Sequence, residues 1–331
     1  MRYLFILYVF LDYIKIIVPT INSLAVTTTP IAKKRNIQTR VLKLSRQLLH
    51  CQELINERKN KCKLIGDLLV KEIPKFIDRL HPHRDATLKK IMSNYLFSDC
   101  SGIIQSGIYD SDVYPIWLKG GYRFIHIYCD MESGSHITNK TGWITFQQRK
   151  NGKINFNRGW EDYVNGFGNP NEDYWAGLET IFLLTWQNEI VFSYGYRIFR
   201  PNLRVDLEGW DGFHAYVEYK RFYLNSESNY RISGLGKRFG TAYRSNFRNS
   251  VVQNEFSTFD HPAEGYYFLP GCSGPHNSGW WFLGCSFSNL NGVYQGPTEK
   301  MSERFGIYWY QWVLINPNNT ALKHASMKIQ F

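Results

Sequence analysis

The sequence lacks the short motifs that mark the common enzyme classes. It has no Gly-x-Ser-x-Gly nucleophile elbow, no Walker A phosphate loop and no His-Glu-x-x-His metalloprotease helix. Gly234, Gly236 and Gly240 approach the spacing of a dinucleotide-binding loop. However, the third glycine comes one residue late and no strand–helix–strand pattern surrounds it. The sequence therefore predicts that this protein is not an enzyme.

Long apolar runs are also missing, except near the start of the chain. A positively charged second residue precedes the apolar run Tyr3 to Leu11, and Ser23-Leu24-Ala25 offers a small-residue cleavage site. A membrane anchor is the alternative, but Asp12 and Lys15 interrupt a run already shorter than the ~20 apolar residues of a spanning helix. We therefore expect residues 1–25 to be a signal peptide and the protein to be secreted, without a membrane anchor.

Cysteine is scarce, with six residues in a chain of 331. No Cys-x-x-Cys pair is present, which argues against a structural zinc site. In a secreted chain the cysteines instead indicate disulfides. The same export route predicts glycosylation at two sequons, Asn139-Lys140-Thr141 and Asn318-Asn319-Thr320.

Excess positive charge is confined to one part of the chain. The net charge is +11, and residues 26–99 contain 16 Lys and Arg against 7 Asp and Glu, whereas residues 100–331 contain 21 against 20. Nucleic-acid binding is not expected, because the chain has no nucleic-acid motif and begins with a secretory signal. A solvated basic helix face is the favoured interpretation, and binding to acidic glycans or anionic surfaces is the alternative.

A heptad pattern begins at residue 37, with apolar or cysteine side chains at nine of its ten core positions. The two sets of core positions are Ile37, Leu44, Cys51, Arg58 and Ile65, and Val41, Leu48, Ile55, Cys62 and Leu69. Their alternating spacing of four and three predicts a coiled-coil stalk over residues 37–73, ended by Pro74. An amphipathic helix packed on its own domain is the alternative. A linker over residues 26–36 precedes the stalk, and a linker with a short helix over residues 74–99 follows it.

Two cysteines lie on the predicted seam of this stalk. Cys51 and Cys62 are eleven residues apart, which is ~16 Å along one helix, whereas bridged Cα atoms lie within ~7 Å of each other. They cannot pair within one continuous helix. We therefore predict interchain disulfides in a parallel homo-oligomer, and a hairpin with an internal Cys51–Cys62 bridge is the alternative.

From residue 100 onward the chain contains a series of motifs in a fixed order. They are Asp99-Cys100, Tyr128-Cys129-Asp130-Met131, Gly142-Trp143, Phe156-Asn157-Arg158 with Trp160, Gly166-Phe167-Gly168-Asn169, Tyr174-Trp175-Ala176-Gly177-Leu178, Leu203 to Leu207, Trp280 to Tyr294 and Gly306-Ile307-Tyr308-Trp309. Together they resemble the fibrinogen C-terminal-like domain of fibrinogen-related proteins, a family that includes ficolins, tachylectins and angiopoietin-like proteins.

The resemblance covers residues 100–331 and implies an α+β fold with a twisted antiparallel central sheet and a loop-rich C-terminal lobe that carries the ligand site. The residues alone support the same class, because Arg204 to Leu207 and Ala215 to Tyr223 are rich in β-forming residues and bounded by turns. The resemblance also implies two disulfides, Cys100–Cys129 and Cys272–Cys285.

A calcium site is implied just before the second disulfide, in a weakened form. Phe256-Ser257-Thr258 and Asp260 match the family pattern, but Pro262 stands at the position of the second aspartate and offers no side-chain oxygen. Glu264 restores an acidic group two residues later. Asp260 and Glu264 are therefore the candidate calcium ligands, and the alternative is that Asp260 only caps a turn.

The expected ligand pocket lies beside the second disulfide and departs from the lectin pattern. Ser286 stands where acetyl-binding members carry a histidine, and Gly284 precedes the cysteine. His276, Trp281 and Tyr294 complete the candidate ligand residues. The resemblance implies a secreted oligomeric lectin that binds glycans, and the alternatives are an angiopoietin-like ligand of a cell-surface receptor and a matrix or assembly protein.

One segment departs from the family by its length. Between Gln187 and Leu203 the chain is longer than the family pattern, with an apolar and aromatic stretch around Ile190 to Arg200. This stretch predicts either a β-hairpin that adds a contact surface or an error in the gene model, and the sequence leaves both open.

Overall fold

The computed structural model describes residues 97–105, 108–121, 123–187, 189–192, 195–242, 247–263, 277–282, 288–298, 306–316 and 321–331. Short helices are few among these residues: α1 (Cys100–Gln105), α2 (Trp160–Asn165), α3 (Leu178–Trp186), α4 (Phe247–Val251) and α5 (Trp312–Ile315). The signal peptide, the stalk and both linkers are predictions that lie outside the described residues, except for residues 97–99.

Most of the described residues with regular structure are in strands. The first eight strands are β1 (Asp112–Leu118), β2 (Arg123–Asp130), β3 (Trp143–Arg149), β4 (Phe167–Gly168), β5 (Tyr174–Trp175), β6 (Glu189–Phe192), β7 (Gly195–Ile198) and β8 (Asn202–Gly209). The others are β9 (His214–Tyr219), β10 (Tyr223–Asn225), β11 (Arg231–Gly234), β12 (Arg238–Gly240), β13 (Ser288–Asn289), β14 (Tyr308–Trp309) and β15 (Leu322–Gln330).

A nine-stranded antiparallel sheet organises the domain in the order β1-β2-β3-β15-β8-β9-β12, with β5 also on β3 and β4 on β5. The C-terminal strand β15 lies between β3 and β8, so Met327 pairs with Gln147 on one side and Val205 on the other. Every residue of β3 is buried: Phe146 packs against Trp175 and Phe222, and Gln147 and Arg149 bond to the loop-rich lobe. The predicted α+β class with an antiparallel central sheet is confirmed.

Helix α3 covers one face of the sheet through an apolar stripe. Leu178, Ile181 and Leu184 recur at a spacing of three and are fully buried, as expected for one face of a helix. The chain enters α3 through Gly177, whose φ is +95°. A Cβ atom at that position would lie 2.7 Å from the Val164 carbonyl oxygen of α2, so both the backbone conformation and the close approach require glycine.

The N-terminal end of the domain is attached by a disulfide and by backbone pairing. Cys100 in α1 is bonded to Cys129 in β2, with Cα atoms 5.6 Å apart, as the family resemblance implies. Just before it, the Phe97 carbonyl accepts from the Trp117 N–H of β1 at 2.8 Å. Residues 97–100 are therefore held against the sheet, and this is where the predicted stalk would join the domain.

A network of buried charges crosses the centre of the sheet. The Lys328 ammonium bonds to Asp130 at 2.5 Å and Asp206 at 2.9 Å, and Arg204 bonds to Asp206 and to Glu218. Burial opposes ionisation of Asp130, but the charge and hydrogen bond of Lys328 outweigh it and hold the pKa of this carboxyl well below its ordinary range. The paired charges connect four strands, β2, β8, β9 and β15.

The segment longer than the family pattern forms a β-hairpin. Strands β6 and β7 pair with each other in a separate two-stranded sheet, with Glu189 opposite Ile198 and Phe192 opposite Gly195. The segment is thus a hairpin in the structure, and its role as an added contact surface stays a prediction.

No helix among the described residues combines the length and the apolar content that crossing a bilayer requires.

Candidate functional site

The Asn-Leu-Asn-Gly turn at residues 289–292 is clamped onto the central sheet. The Gln147 amide of β3 donates to the Leu290 carbonyl at 3.0 Å and to the Asn291 side chain at 3.1 Å. Arg149 donates to the carbonyls of Leu290 and Gly292. Both clamping side chains are buried, and unpaired buried polar groups are costly. Strand β3 thus fixes the loop-rich C-terminal lobe through the backbone of this turn.

The two asparagines of the turn connect it to the neighbouring segment. Asn291 donates to the Gly279 carbonyl at 3.0 Å, and Asn289 donates to the Ser278 hydroxyl at 2.9 Å. Both asparagines are buried, so these bonds replace the water they lose on folding. The turn therefore positions residues 278–279, which lead into the tryptophan pair.

Tyr294 supports the same lobe from the next segment along the chain. Its hydroxyl lies 3.0 Å from the Lys150 carbonyl and 2.7 Å from the Lys323 carbonyl. Its ring covers Gly152, where an added Cβ atom would come within 2.7 Å. The predicted ligand role of Tyr294 is untested, but its hydroxyl is already engaged in holding three segments together.

Trp281 belongs to the core. Its side chain is fully buried, its indole N–H donates to the Tyr230 carbonyl at 2.8 Å, and its ring contacts Phe256 and Trp175 at centroid distances of 5.0 Å and 6.1 Å. The predicted ligand role of Trp281 stays a prediction, and its ring and indole N–H are already engaged in the core. The aromatic cluster around Trp281 supports the neighbouring surface of the domain.

Asp260 lies at the surface and closes a turn. Its carboxylate accepts from the Trp160 backbone N–H at 2.9 Å and from the Thr258 hydroxyl at 2.6 Å. Partial burial works in the opposite direction, but these hydrogen bonds keep the pKa of Asp260 below its ordinary value. The carboxylate is therefore ionised at neutral pH and already holds the loop against α2.

The described residues include only part of the predicted calcium site. Among them no cluster of three or more His, Cys, Asp and Glu side chains could hold a metal ion, whereas calcium takes six to eight oxygen ligands. Asp260 can supply one carboxylate, and Glu264 lies outside the described residues. Calcium binding through this pair stays a prediction.

One exposed and two half-buried aromatic side chains surround Asp260. The His261 imidazole stacks on the Trp160 indole with centroids 3.9 Å apart, and the neighbouring Phe259 side chain is 71% exposed. We call Trp160, Phe259, Asp260 and His261 the Trp160 surface. It combines apolar rings with an ionised carboxylate, which is the composition of many protein contact sites.

Phe259, Trp160 and His261 were not predicted from the sequence to be site residues. Trp160 was recognised only as part of a family motif, and nothing local distinguishes an exposed phenylalanine from a buried one. A usable signal was the pattern Phe-Asp-His-Pro at residues 259–262, because an apolar residue beside turn-forming residues is often left at the surface.

The other predicted site residues divide into two groups. Asn139 is described and exposed, in a turn with φ +54° in which its N–H bonds to the Ser135 carbonyl. Its glycosylation stays a prediction. The remaining residues lie outside the described part of the chain: Cys51, Cys62, Glu264, Cys272, His276, Gly284, Cys285, Ser286 and Asn318.

Comparison with known families matches residues 96–331 to the C-terminal globular domain of fibrinogen beta and gamma chains. The chain is 36% identical over 238 residues to angiopoietin-2 of Bos taurus, covering 71% of this chain and 43% of that protein. It is also 36% identical over 217 residues to angiopoietin-4 of Homo sapiens, covering 65% of this chain and 39% of that protein. The matched region therefore spans less than half of these relatives.

Solved structures agree with this match. The fibrinogen-like globe domain of human ANGPTL2 superposes with a TM-score of 0.59 at 30% identity, over 71% of this chain and 98% of that domain. A lamprey fibrin D-dimer superposes with a TM-score of 0.55 at 24% identity, over 90% of this chain and 92% of that one. The second likeness shows the fold alone.

Proposed function

Because this chain belongs to the family of the C-terminal globular domain of fibrinogen beta and gamma chains, we propose that it is a secreted, oligomeric ligand that binds a protein receptor at the cell surface. The observation that carries the proposal is the similarity to angiopoietins across the whole globular domain, at 36% identity over 238 residues. No catalytic role is part of the proposal.

The site favours a protein partner over the glycan of the lectin hypothesis. Trp281 is buried, and Ser286 stands where the acetyl-binding pattern has a histidine. Phe259 instead is exposed, beside the half-buried stacked pair of Trp160 and His261, and aromatic residues are enriched in protein–protein interfaces. We assign receptor contact to the Trp160 surface and its neighbours in the C-terminal lobe.

The predicted stalk would strengthen such binding by presenting several domains together. Linked domains can gain ~10²–10⁴ in apparent affinity when they engage receptors simultaneously. The glycan-binding lectin remains the second candidate, and it shares the stalk but requires a different contact surface.

The binding experiment uses the full chain on cultured cells, with bound protein measured before and after protease treatment or deglycosylation of the cells. The proposal expects protease to abolish binding and deglycosylation to leave most of it. Retention on N-acetylglucosamine resin in calcium, lost in EDTA, would support the lectin instead. Binding that survives protease and disappears on deglycosylation would contradict a protein receptor.

A matched pair of variants locates the contact. Phe259→Ser should weaken cell binding at least about tenfold, because truncating an aromatic hot-spot residue commonly costs about 2 kcal/mol or more and a tenfold change corresponds to about 1.4 kcal/mol. Tyr109→Ser is the control, since Tyr109 is also exposed, at 53%, but lies just before β1, the edge strand of the central sheet. Equal binding by both variants would remove the Trp160 surface from the proposed interface.

A further inference from the structure

The β6–β7 hairpin is a two-stranded ribbon whose outer edges do not pair with any other described strand. Its strands pair only with each other among the described strands, so the outer edge of each has no backbone partner there. Isolated two-stranded ribbons are marginally stable in water, and open strand edges are templates for pairing with another chain. The ribbon is therefore a candidate for completion by a further strand.

The pattern of residues in the ribbon distinguishes its two edges. Strand β6 has its one charged residue, Glu189, at its first position and then the uncharged run Ile190-Val191-Phe192, whereas the charged residue of β7, Arg197, lies inside the strand. Charged residues on an edge strand discourage pairing, and uncharged β-formers without proline favour it. The edge of β6 is accordingly the one suited to accept a partner strand.

The two ends of the ribbon, where the chain leaves and re-enters the body of the domain, are anchored by side-chain contacts. On one side Gln187 is buried, and its amide donates to the Ser98 carbonyl at 2.6 Å. On the other side the Arg200 guanidinium lies 3.4 Å from the centroid of the Trp186 ring and 4.3 Å from that of Tyr223. These contacts give the ribbon a defined base on the body of the domain.

The position of the base of the ribbon favours a second copy of this chain as the partner. Ser98, bonded to Gln187, lies where the preceding 96 residues reach the domain, and that segment contains the heptads with Cys51 and Cys62. Chains joined through this N-terminal segment would have the bases of their β6–β7 hairpins close together. Residues 100–331 are nearly neutral, with 21 basic and 20 acidic side chains, so little net repulsion would keep two domains apart.

We propose that the β6 edges of two copies of this chain pair antiparallel about a two-fold axis and form a four-stranded sheet between neighbouring domains. Two-fold pairing is self-complementary, and Val191 lies at the centre of the apolar run, so it sits opposite its counterpart. Ile190 then faces Phe192 of the second copy, and Glu189 is left outside the apolar pairs. The contact builds on the proposed oligomer but is a separate interface.

Cysteine cross-linking in the full chain tests this register. Val191→Cys should form a disulfide between two copies after mild oxidation, detected by mass spectrometry of a non-reduced digest as a peptide that links residue 191 to residue 191. His214→Cys is the control, because His214 is exposed and lies at the end of β9 away from the ribbon. We expect about tenfold more linked peptide for Val191→Cys, as held proximity raises effective concentration.

The same digest separates the two proposals. Linked stalk peptides containing Cys51 or Cys62 report the proposed oligomer, and the residue 191 link reports ribbon pairing. A Val191→Cys yield no higher than that of His214→Cys overturns ribbon pairing, whether or not stalk peptides are linked. Stalk links without the residue 191 link would leave the oligomer standing alone.

A second pair of variants avoids a new thiol. Val191→Lys would place two ammonium groups opposite each other, whereas Val191→Thr keeps a β-branched, uncharged side chain. Hydrogen exchange of the β6 amides in the full chain should be about tenfold faster in Val191→Lys than in Val191→Thr if pairing protects them. Equal exchange rates in the two variants would contradict the paired edge.

Discussion

At the scale of single residues, Arg149 shows how a buried charge can organise a loop. Burial lowers the pKa of its guanidinium to about 10, yet the group stays protonated at neutral pH and donates to the carbonyls of Leu290 and Gly292. It also lies 4.0 Å from the centroid of the Phe156 ring. The residue thus connects the sheet, an aromatic side chain and the backbone of the C-terminal lobe.

Replacing this guanidinium should destabilise the domain. Arg149→Met removes the donor to the Gly292 carbonyl and leaves the Leu290 carbonyl with Gln147 alone, so we expect the free energy of unfolding to fall by roughly 2–4 kcal/mol. Lys153→Met is the control, because Lys153 forms an exposed ion pair with Glu172 that contributes at most about 1 kcal/mol. Urea unfolding of both variants measures the difference, and losses of equal size would show that the clamp contributes nothing specific.

His324 predicts a specific dependence of stability on pH. Burial lowers its pKa from the usual 6.5 to about 4, and the charge of Lys328 adds to this while Asp206 and Glu208 oppose it. As the pH falls below about 6.5 the unfolded chain binds a proton that the folded chain does not, so the free energy of unfolding falls until about pH 4. The loss reaches up to about 3 kcal/mol.

The His324→Gln variant isolates this effect. Glutamine does not titrate, so the variant should lose less stability than the unmodified chain between pH 7 and pH 4.5, when both are unfolded in urea. Asp130 and Asp206 also have lowered pKa values, and their contribution is lost only as the pH falls below about 4. Parallel stability curves for the two proteins in this window would refute the role of His324.

At the scale of elements, the turn at residues 289–292 depends on a close backbone approach. A Cβ atom at Gly292 would lie 2.0 Å from the Gly306 carbonyl oxygen, whereas one at Gly296 would have no neighbour within 4 Å. Gly292→Ala should therefore reduce the free energy of unfolding by about 1–3 kcal/mol, as backbone shifts do, and Gly296→Ala by much less. Thermal unfolding compares them, and indistinguishable midpoints would be inconsistent with a fixed turn.

The elements also show what a sequence can and cannot predict here. Strands β8 and β9 were predictable because β-forming residues and flanking turns are local signals, although β9 ends at Tyr219 rather than Tyr223. The role of the Asn-Leu-Asn-Gly turn was not predictable, since Gln147 contacts it across more than 140 residues of chain. The burial of Trp281 likewise depends on Trp175 and Tyr230, which approach it only in the folded domain.

At the scale of the whole molecule, the globular domain and the N-terminal segment differ in how many sequence features predict them. The domain was predictable because many ordered motifs match one family, whereas the stalk follows from a single heptad pattern in residues 37–73. In the receptor hypothesis the domain would supply the contact surface, and the predicted stalk would strengthen binding by presenting several copies of it. The oligomeric state is thus the property that most directly connects the heptad sequence to the proposed receptor binding.

Interchain disulfides give the clearest measure of that assembly. The unmodified full chain should migrate as a covalent oligomer in denaturing, non-reducing electrophoresis and as a monomer after reduction, because the predicted parallel seam would place Cys51 and Cys62 opposite their counterparts. Cys51→Ser combined with Cys62→Ser should give a monomer in both conditions, while Cys100–Cys129 stays within each chain. A monomer before reduction would instead support the internal Cys51–Cys62 bridge, and the stalk could then not hold the domains together covalently.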